Sequence, residues 1–589
     1  MNHKFNLVIR DAMRKVSVNE MNKGSILKLL FIVTTFGLLL YRVSLHADHY
    51  DEIINLSISY RIALGDIPFY NGWEAFQSGD IFMAPFLWIY IKLFQTTSGM
   101  ILYARFVYIL VLIFLALWCY GAIKRYMGRT NAFFLSYIIV FFQVYSLFYL
   151  WYDTVSIIFF CFGVITLLRA FQAETAIKHS CLMILAGVFH CFMAFSYPAF
   201  ALLAIFLAVI VFYNSYRMNE KSIKSAFFDT FLYGVGAIFF VSVLLIYAQL
   251  AIGISDVFDT ISIITSSRGT NTSSLLNIIS DIVVSYVRVN KFFVPLTIVL
   301  GILYFRGLRD RRYRKSFFCA LIILPVLNQI FLEKSTVMGL ANYLSYLMLW
   351  CPFVYFMKKS KKKIDRLIFS FFYLPSVLSA ICISLTTVYS EMGPIKCWQT
   401  CLMGALATLY FIIDILRSYK HSMKFDWQML LPQIIVIALL FNAYSYIYLN
   451  QQYIRYGDER VADGLFWGIK VNESMAENIE LQNLVIANSK GCETVLAGSA
   501  LRTIYLMTDM RPFVWSVESP AYMKDGQVQW DYAIKYFDYF DEYPDIMFLE
   551  EWEIQNDDIQ KILKNKYDLT DVVSVCGMDV HIYIKDKVR

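Results

Sequence analysis

Apolar runs long enough to cross a lipid bilayer recur along the sequence between about residue 26 and about residue 447. A helical run of roughly 17 to 25 residues crosses the hydrocarbon layer, which is about 30 Å thick, at 1.5 Å per residue. We place about thirteen such spans in the chain. They are 26–45, 100–122, 131–150, 153–170, 180–197, 198–214, 228–252, 291–308, 316–332, 338–357, 365–388, 398–416 and 427–447.

The composition supports a membrane protein. Of the 589 residues, 58% are hydrophobic and only 16% are charged. A single soluble core stops growing at about 250 to 300 residues, so no soluble fold needs this much apolar material. The bilayer is therefore the solvent for most of the chain, and the predicted fold class is a mainly α, polytopic membrane protein.

The distribution of Lys and Arg predicts the orientation, because short loops that remain in the cytoplasm collect basic residues. The N-terminal segment is basic, and so are the loops around Lys124, 309–315 and 358–366. All of them lie on one side in the predicted arrangement, so we expect an integral protein of the plasma (inner) membrane with a cytoplasmic N-terminus. The predicted layout is a basic N-terminus at 1–25, a transmembrane domain at 26–448 with outer loops at 46–99 and 253–290, and an extracytoplasmic domain at 449–589.

One apolar run tests this arrangement. Ile81–Phe94 has only about fourteen residues, which is shorter than a span. If it crossed the membrane, every later loop would change sides, and the basic cluster 358–366 would face outward. The charge rule therefore favours an interfacial or re-entrant helix, although the sequence leaves a crossing open.

The C-terminal segment 449–589 differs in character and is predicted to be one soluble α/β domain. Apolar stretches of strand length occur at Thr494–Ala497, Ile546–Leu549 and Val580–Ile584. They alternate with helical patterns near 474–487, 530–540 and 556–565, as is typical of an α/β module. The chain has a net charge of +7, which we assign to basic loops beside the lipid, and nothing in it indicates nucleic acid as a partner.

Two adjacent carboxylates, Asp51 and Glu52, follow the first span. They lie where a helix leaves the bilayer, at a water-poor boundary where a carboxylate can act as a base. We predict Asp51 as the base and Glu52 as a second carboxylate that orients it or contacts the substrate. The alternative is an ordinary acidic helix start that complements the helix dipole.

A third acidic residue, Asp153, lies between two apolar runs with almost no loop. An ionisable group at membrane depth is a functional candidate. The alternative is an N-cap for a span that begins at Thr154, and both roles are compatible.

The first outer loop resembles that of GT-C glycosyltransferases, above all the branch with lipid A aminoarabinose transferase and protein O-mannosyltransferases. The shared pattern is an acidic pair, a helix end with glycine, a proline that opens a short helix, and an arginine that starts the next span. It is carried here by Asp51-Glu52, Arg61 to Asp66, Trp73, Pro85, Leu93-Phe94 and Arg105. In the resemblance Asp153 takes the place of the family's second acidic residue.

The resemblance fades after about residue 200, and two positions depart from the branch. Ala84 stands where the branch has a lysine before the proline, and Ser196-Tyr197 stands where it has Thr-Lys. The contact that the lysine makes with the lipid phosphate must therefore come from another residue or be absent.

The resemblance implies transfer of a sugar from a polyprenyl-phosphate donor to a glycan, lipid or protein acceptor on the outer face, with inversion. Asp51 would deprotonate the acceptor, and a cation would stabilise the departing phosphate. Arg105 is the first candidate for that cation, and Arg288 with Lys291 is the second. Snorkelling to lipid headgroups is the alternative role of these three residues.

No cofactor is firmly implied by the sequence. His46, Asp48 and His49, together with Asp51, have side chains that could bind a divalent cation, although their spacing is weak support. A transporter or flippase of polyprenyl-linked glycans remains the alternative function, and it would call for internal repeats, which the sequence does not show. An outer domain that functions alone, with the spans as its anchor, is a further alternative.

Overall fold

The structure is a computed structural model in which helices dominate up to residue 445 and a mixed α/β region follows. It describes residues 23–45, 51–74, 77–143, 147–218, 222–266, 277, 280, 283–284, 292–331, 339–358, 362–386, 400–417, 427–445, 459–471, 484–485, 487–489, 491–524, 527–575 and 578–586.

The helices of the first part are α1 (Lys23–Val43), α2 (Asp51–Leu64), α3 (Gln77–Phe94), α4 (Met100–Met127), α5 (Arg129–Tyr137), α6 (Tyr152–Ala170), α7 (Ala176–Ser196), α8 (Ala201–Met218), α9 (Ile223–Ala251) and α10 (Ile254–Ser266). They continue with α11 (Phe293–Arg309), α12 (Arg311–Phe331), α13 (Gly339–Leu349), α14 (Cys351–Met357), α15 (Lys363–Ile368), α16 (Leu374–Thr386), α17 (Cys401–Arg417) and α18 (Trp427–Ser445).

Within the described ranges, seven helices are long and apolar enough to cross a membrane. They are Ser25–Val43, Met100–Met127, Tyr152–Ala170, Ala176–Ser196, Pro198–Met218, Ile223–Ala251 and Lys363–Ile383. All seven coincide with predicted spans. The remaining predicted spans coincide with shorter or more polar helices, so the full number of crossings stays a prediction.

The predicted span 131–150 is wrong as one continuous helix. The helix ends with a short 3₁₀ segment, Ile138–Phe141, and the chain from Leu147 to Trp151 is not helical. Leu147, Phe148, Tyr149 and Leu150 are nevertheless 5% exposed or less. Non-helical backbone is tolerated at membrane depth where protein surrounds it, and that is the case here.

Helix α6 is the centre of the helical part, because nearly all of its residues are buried. α7 and α9 approach closely at two glycines. A Cβ at Gly187 would lie 2.0 Å from the carbonyl oxygen of Tyr233, and one at Gly236 would lie 2.0 Å from that of Ile184. Small residues at such crossings let the backbones of membrane helices meet. By contrast, much of α9 exposes large apolar side chains, as expected of a helix against lipid.

The C-terminal region contains one five-stranded sheet in the order β4-β3-β7-β9-β8. The strands of the region are β1 (Glu459–Arg460), β2 (Lys470–Val471), β3 (Thr494–Ala497), β4 (Arg511–Pro512), β5 (Tyr522–Lys524), β6 (Gln527–Gln529), β7 (Ile546–Glu550), β8 (Tyr567–Val575) and β9 (Met578–Lys585), with helices α19 (Asp531–Phe540) and α20 (Asp557–Lys566). β3 is parallel to β4 and β7, while β9 is antiparallel to β7 and β8. The three predicted strands and the helices near 530–540 and 556–565 are confirmed, and the predicted helix 474–487 lies mainly outside the described residues.

Helix α2 joins the two parts of the molecule, because it is buried on two faces. Ile53, Leu56 and Tyr60 belong to the apolar core of the membrane helices. Ile54 and Ile58 belong instead to the core of the C-terminal domain. The helix that begins with Asp51 therefore packs in the interface between both cores.

Candidate active site

The two adjacent carboxylates at the start of α2 lie in different surroundings. Glu52 is 1% exposed, and Arg105 binds it with two nitrogens, Nε to Oε1 at 2.7 Å and Nη2 to Oε2 at 2.6 Å. Arg105 also donates from Nη1 to the carbonyl oxygen of Val43 at 2.6 Å. Asp51 is only partly buried. Of the pair, Asp51 is thus the carboxylate that a substrate can reach.

The hydrogen bonds of Arg105 compete with the contact that it is predicted to make with the lipid phosphate. The guanidinium is 4% exposed, and its three nitrogens all donate to protein oxygens. Such a bidentate, charge-assisted pair is among the strong hydrogen bonds of proteins. Arg105 can bind a phosphate only by exchanging one of these partners.

The segment that carries Asp153 contacts α2 one turn after Asp51. The hydroxyl of Tyr149 donates to the carbonyl oxygen of Asn55 at 3.2 Å, and the side chain of Asn55 donates to the carbonyl oxygen of Asp51 at 2.6 Å. Asp153 itself is 2% exposed. The structure therefore brings the start of α2 and the start of α6 to the same end of the helical part.

Asp153 is not an N-cap. The helix begins at Tyr152 after an N-cap at Trp151, and the hydroxyl of Thr154 accepts from the backbone nitrogen of Trp151 at 3.0 Å. Asp153 lies inside the first turn, where a carboxylate complements the helix dipole. The capping alternative is wrong because the helix starts two residues earlier than the sequence predicts.

The first turn of α3, Gln77 to Asp80, is a junction between four segments, and we call it the junction turn. Gln77 donates to the carbonyl oxygens of Gly72 and Glu74 in the outer loop, at 2.6 and 2.8 Å. Ser78 donates to the carbonyl oxygen of Ser196 at the end of α7, at 3.1 Å.

The other two residues of the junction turn meet α6 and α2. Gly79 packs on the start of α6, where a Cβ would lie 2.3 Å from the Cα of Tyr152. Oδ1 of Asp80 lies 3.0 Å from the hydroxyl of Ser59 on α2. The junction turn thus fixes the relative position of the helices that carry Asp51 and Asp153.

Asp80 was missed by the sequence analysis, which began this helix at the apolar residue Ile81. Its side chain is completely buried, and burial raises its pKa well above the ordinary value. Its Oδ2 has no hydrogen-bond partner among the residues that the structure describes. An acidic residue directly before an apolar helix, next to a glycine, was the signal that could have found it.

The outer loop after α2 binds the C-terminal domain through buried charges. Arg61 pairs with Asp66 at 2.9 Å and with Glu74 at 3.5 Å, and its Nη1 donates to the carbonyl oxygen of Val514 at 3.0 Å. Arg511 of the domain pairs with the other oxygen of Asp66 at 2.6 Å. Burial raises the pKa of Glu74, and the neighbouring Arg61 opposes that effect.

The backbone also crosses this interface. Trp73 donates from its backbone nitrogen to the carbonyl oxygen of Trp515 at 2.7 Å, and Val517 donates to Oε1 of Glu74 at 2.7 Å. Both partners in the domain follow the carboxyl end of β4. In α/β sheets this edge is where loops form binding sites. Here the outer loop of the membrane part occupies it.

Several predicted residues lie outside the described part of the chain: His46, Asp48, His49, Arg288 and Lys291. The predicted metal site and the second phosphate-binding pair therefore stay predictions. Among the described residues there is no group of three or more His, Cys, Asp or Glu side chains that could hold a metal ion.

No protein-family model matches the sequence, and no curated protein matches it. Among solved structures, ArnT from Cupriavidus metallidurans bound to undecaprenyl phosphate is similar with a TM-score of 0.47 and 11% identity, over 95% of this chain and 98% of that one. The archaeal oligosaccharyltransferase AglB from Archaeoglobus fulgidus, in complex with an inhibitory peptide and a dolichol-phosphate, gives 0.45 and 10%, over 89% and 69%. Both similarities extend over most of this chain at low sequence identity.

Proposed function

We propose that the protein is an inverting glycosyltransferase that transfers a sugar from a polyprenyl-phosphate donor to an acceptor hydroxyl on the outer face of the membrane. The observation that carries the proposal is the unequal pair at the start of α2. Glu52 is buried and neutralised by Arg105 at 2.6 Å, while Asp51 beside it is partly exposed. The carboxylate that a substrate can reach therefore lies at a water-poor boundary, where it can act as a base.

The reaction needs no nucleotide, because the leaving group is anchored in the lipid. Asp51 takes the proton of the acceptor hydroxyl while the acceptor oxygen attacks the anomeric carbon. The bond between that carbon and the phosphate oxygen breaks, and the polyprenyl phosphate leaves with the electron pair. A single displacement of this kind inverts the anomeric centre.

The other site residues have supporting roles in the proposal. Glu52 and Arg105 fix the start of α2, and Asp153 is the second acidic residue of the site. Arg288 and Lys291 are proposed to bind the lipid phosphate, since Arg105 is held by Glu52 and Val43 in this structure. A divalent cation near His46, Asp48, His49 and Asp51 remains a prediction, and the reaction above does not depend on it.

The proposal includes an arrangement of about thirteen spans with a cytoplasmic N-terminus and an outer C-terminal domain. That topology places Asp51, Asp153 and the C-terminal domain on the same side. The double burial of α2 speaks against an outer domain that functions alone, because Ile54 and Ile58 of the membrane part complete its core.

The alternative is a transporter or flippase of polyprenyl-linked glycans. Transporters place their ionisable residues near the middle of the membrane, at interrupted helices. Glu52, Asp80 and Asp153 lie instead at helix starts that meet at one end of the helical part. This placement favours the enzyme.

The test is transfer of sugar by purified Asp51→Asn protein, supplied with a panel of polyprenyl-phosphate hexoses and pentoses. We expect transfer to fall by a factor on the order of 10²–10⁴, which is typical for loss of a general base. Asp558→Asn, an exposed position in the C-terminal domain, is the matched control and should retain full activity. Normal transfer by Asp51→Asn would remove Asp51 from the mechanism, and movement of intact lipid-linked glycan without any transfer would favour the flippase.

A further inference from the structure

The polar groups around Asp80 contain too few protons unless Asp80 carries one. Three contacts of hydrogen-bond length form a chain: Tyr149 to the carbonyl oxygen of Asn55 at 3.2 Å, Ser59 to Tyr149 at 2.8 Å, and Ser59 to Asp80 at 3.0 Å. A carbonyl oxygen only accepts, so Tyr149 must donate to it, and Ser59 must then donate to Tyr149. Both hydroxyl protons are used at that point. The third contact is satisfied when the carboxylic acid of Asp80 donates to Ser59.

We infer that Asp80 is a positioning residue for Asp153: its carboxyl group ties the junction turn to α2, and the junction turn holds the backbone at the start of α6. The inference rests on the proposed function, which assigns Asp153 to the site. Asp80 is 0% exposed and acts through its neighbours without touching substrate.

The junction turn packs directly against the start of α6, with no space between the two backbones. A Cβ at Gly79 would lie 2.3 Å from the Cα and 2.4 Å from the nitrogen of Tyr152, so the two backbones are already in contact. Tyr152 directly precedes Asp153. Any movement of α3 away from α2 therefore moves the start of α6, where Asp153 lies.

The groups that face Asp80 make the neutral acid the stable form. Glu74 precedes it in the outer loop, Tyr149 lies on the segment before α6, and α2 contributes Ser59. Glu52, at the start of α2, acts on Tyr149. The described residues provide no cation within ion-pair distance of Asp80. Burial raises the pKa of Asp80 well above its ordinary value, the contact with Ser59 opposes that effect, and the charge of Glu74 adds to it. Ionisation of Asp80 would break the donation to Ser59.

The experiment compares Asp80→Asn with Asp80→Ala in full-length purified protein. Asn is the close analogue of a neutral acid, because its amide can donate to Ser59. We expect Asp80→Asn to keep kcat within about threefold, and Asp80→Ala to lower kcat by a factor on the order of 10 to 100, with KM for the lipid donor nearly unchanged. A fall in rate as the pH rises through the ionisation of Asp80 should be present in wild-type protein and absent in Asp80→Asn, because the group that ionises is gone.

A second measurement does not depend on catalysis. In the Asp153→Cys background, labelling of the thiol by a soluble maleimide reports the position and access of residue 153. Asp80→Ala should raise the labelling rate about tenfold, and Asp80→Asn should leave it unchanged. Gly79→Ala should act like Asp80→Ala, whereas Gly301→Ala, which has open space around its Cβ, should have no effect.

Three results would overturn the inference. Normal kcat in Asp80→Ala would show that Asp80 positions nothing, and an Asp80→Asn protein as impaired as Asp80→Ala would show that the neutral acid is not what matters. Labelling of residue 153 that is equal in all variants would remove the link to Asp153. If wild-type protein transfers no sugar from any donor, the proposed function fails, and the labelling experiment still decides the inference.

Discussion

Buried charges occur at two ends of the helical part, and they are arranged differently. Helix α4 connects the ends: Arg105 near its start binds Glu52, and the carbonyl oxygen of Tyr126 near its end accepts from Arg417. We call these the α2 end and the α17 end. With 28 residues, α4 separates them by about 42 Å.

At the α17 end the charges balance. Lys358 contacts both Asp365 and Asp414, and Lys362 adds a second cation beside Asp414. Asp365 also caps the short helix α15 by accepting from the backbone nitrogen of Lys362 at 2.6 Å. Each acid thus has a cation, which is the pattern of a network that ties helix ends together.

Among the residues that the structure describes at the α2 end, buried carboxyl groups outnumber buried cations. The buried acids are Glu52, Asp66, Glu74, Asp80 and Asp153, and the buried cations are Arg42, Arg61 and Arg105. A surplus of buried acids is costly for folding, because burial disfavours the charged form. Such an arrangement marks a functional site more often than a balanced network does. The comparison therefore assigns chemistry to the α2 end and stability to the α17 end.

The largest effect is expected for Arg105→Met. The substitution leaves the carboxylate of Glu52 buried without its cation, and breaking a buried pair in this way costs about 3–5 kcal/mol. The free energy of unfolding of the purified protein should fall by that amount, and transfer should be lost with it. Arg105→Lys is the control, because it keeps the positive charge and loses the two-nitrogen contact with Glu52. Its free energy of unfolding should lie between those of wild-type protein and Arg105→Met. An unchanged free energy of unfolding in Arg105→Met would contradict the premise that the buried Glu52 depends on the cation of Arg105.

The next prediction concerns the balanced end. Lys358→Met should also lower stability, by about 3 kcal/mol, because Asp365 and Asp414 lose their shared cation. Sugar transfer per folded molecule should remain normal, since the α17 end does no chemistry. Lys362→Met, at a lysine that is 57% exposed, should change stability by less than about 1 kcal/mol. Loss of transfer in folded Lys358→Met protein would contradict the division between the two ends.

A smaller effect is expected in the C-terminal domain, where the buried acid Glu553 can be compared with Asp80. Glu553 is completely buried, and burial raises its pKa from 4.5 to about 7. Unlike Oδ2 of Asp80, both of its oxygens accept hydrogen bonds, from the backbone nitrogens of Ser499 and Glu550 at 3.0 Å. We assign it a structural role, so a raised pKa is not by itself a sign of function.

The sign of the pH dependence follows from the raised pKa. Stability is fully present below about pH 4.5 and is lost as the pH rises to about 7, because the folded state must release a proton that it holds firmly. At 1.36 kcal/mol per pKa unit, the loss at Glu553 is at most about 3 kcal/mol. Unfolding measured between pH 4 and 8 should show this decline in wild-type protein and a flatter curve in Glu553→Gln. Transfer activity at constant pH should not depend on residue 553.

Much of the fold could be predicted from the sequence. Apolar runs identified most of the helices between α1 and α18, but not α2, nor α10 within the predicted outer loop 253–290, and short apolar stretches identified β3, β7 and β9. These elements follow from local pattern, since a span or a strand is defined by its own residues. The continuous span 131–150 was wrong because Leu147 to Leu150 are buried in protein without forming a helix, and an apolar run does not reveal whether buried chain is helical.

The candidate site could be predicted only in part. Asp51, Glu52, Asp153 and Arg105 were found from their places at helix starts. The pairing of Arg105 with Glu52 was not predicted, because the two residues lie 53 positions apart in the chain. Arg61 and Val514, which are 453 residues apart, are a stronger case. Such pairings depend on how helices pack, and no local pattern specifies them.

The sequence by itself determined that this chain lies in a bilayer, that an α/β domain follows, and that acidic residues stand at the starts of α2 and α6. The tertiary structure alone decided that Glu52 is buried against Arg105 while Asp51 stays partly exposed, and that Asp80 lies in the same polar junction. The physical reason is burial. Identical carboxyl groups acquire different protonation and reach according to the cations, hydroxyls and backbone that packing places around them.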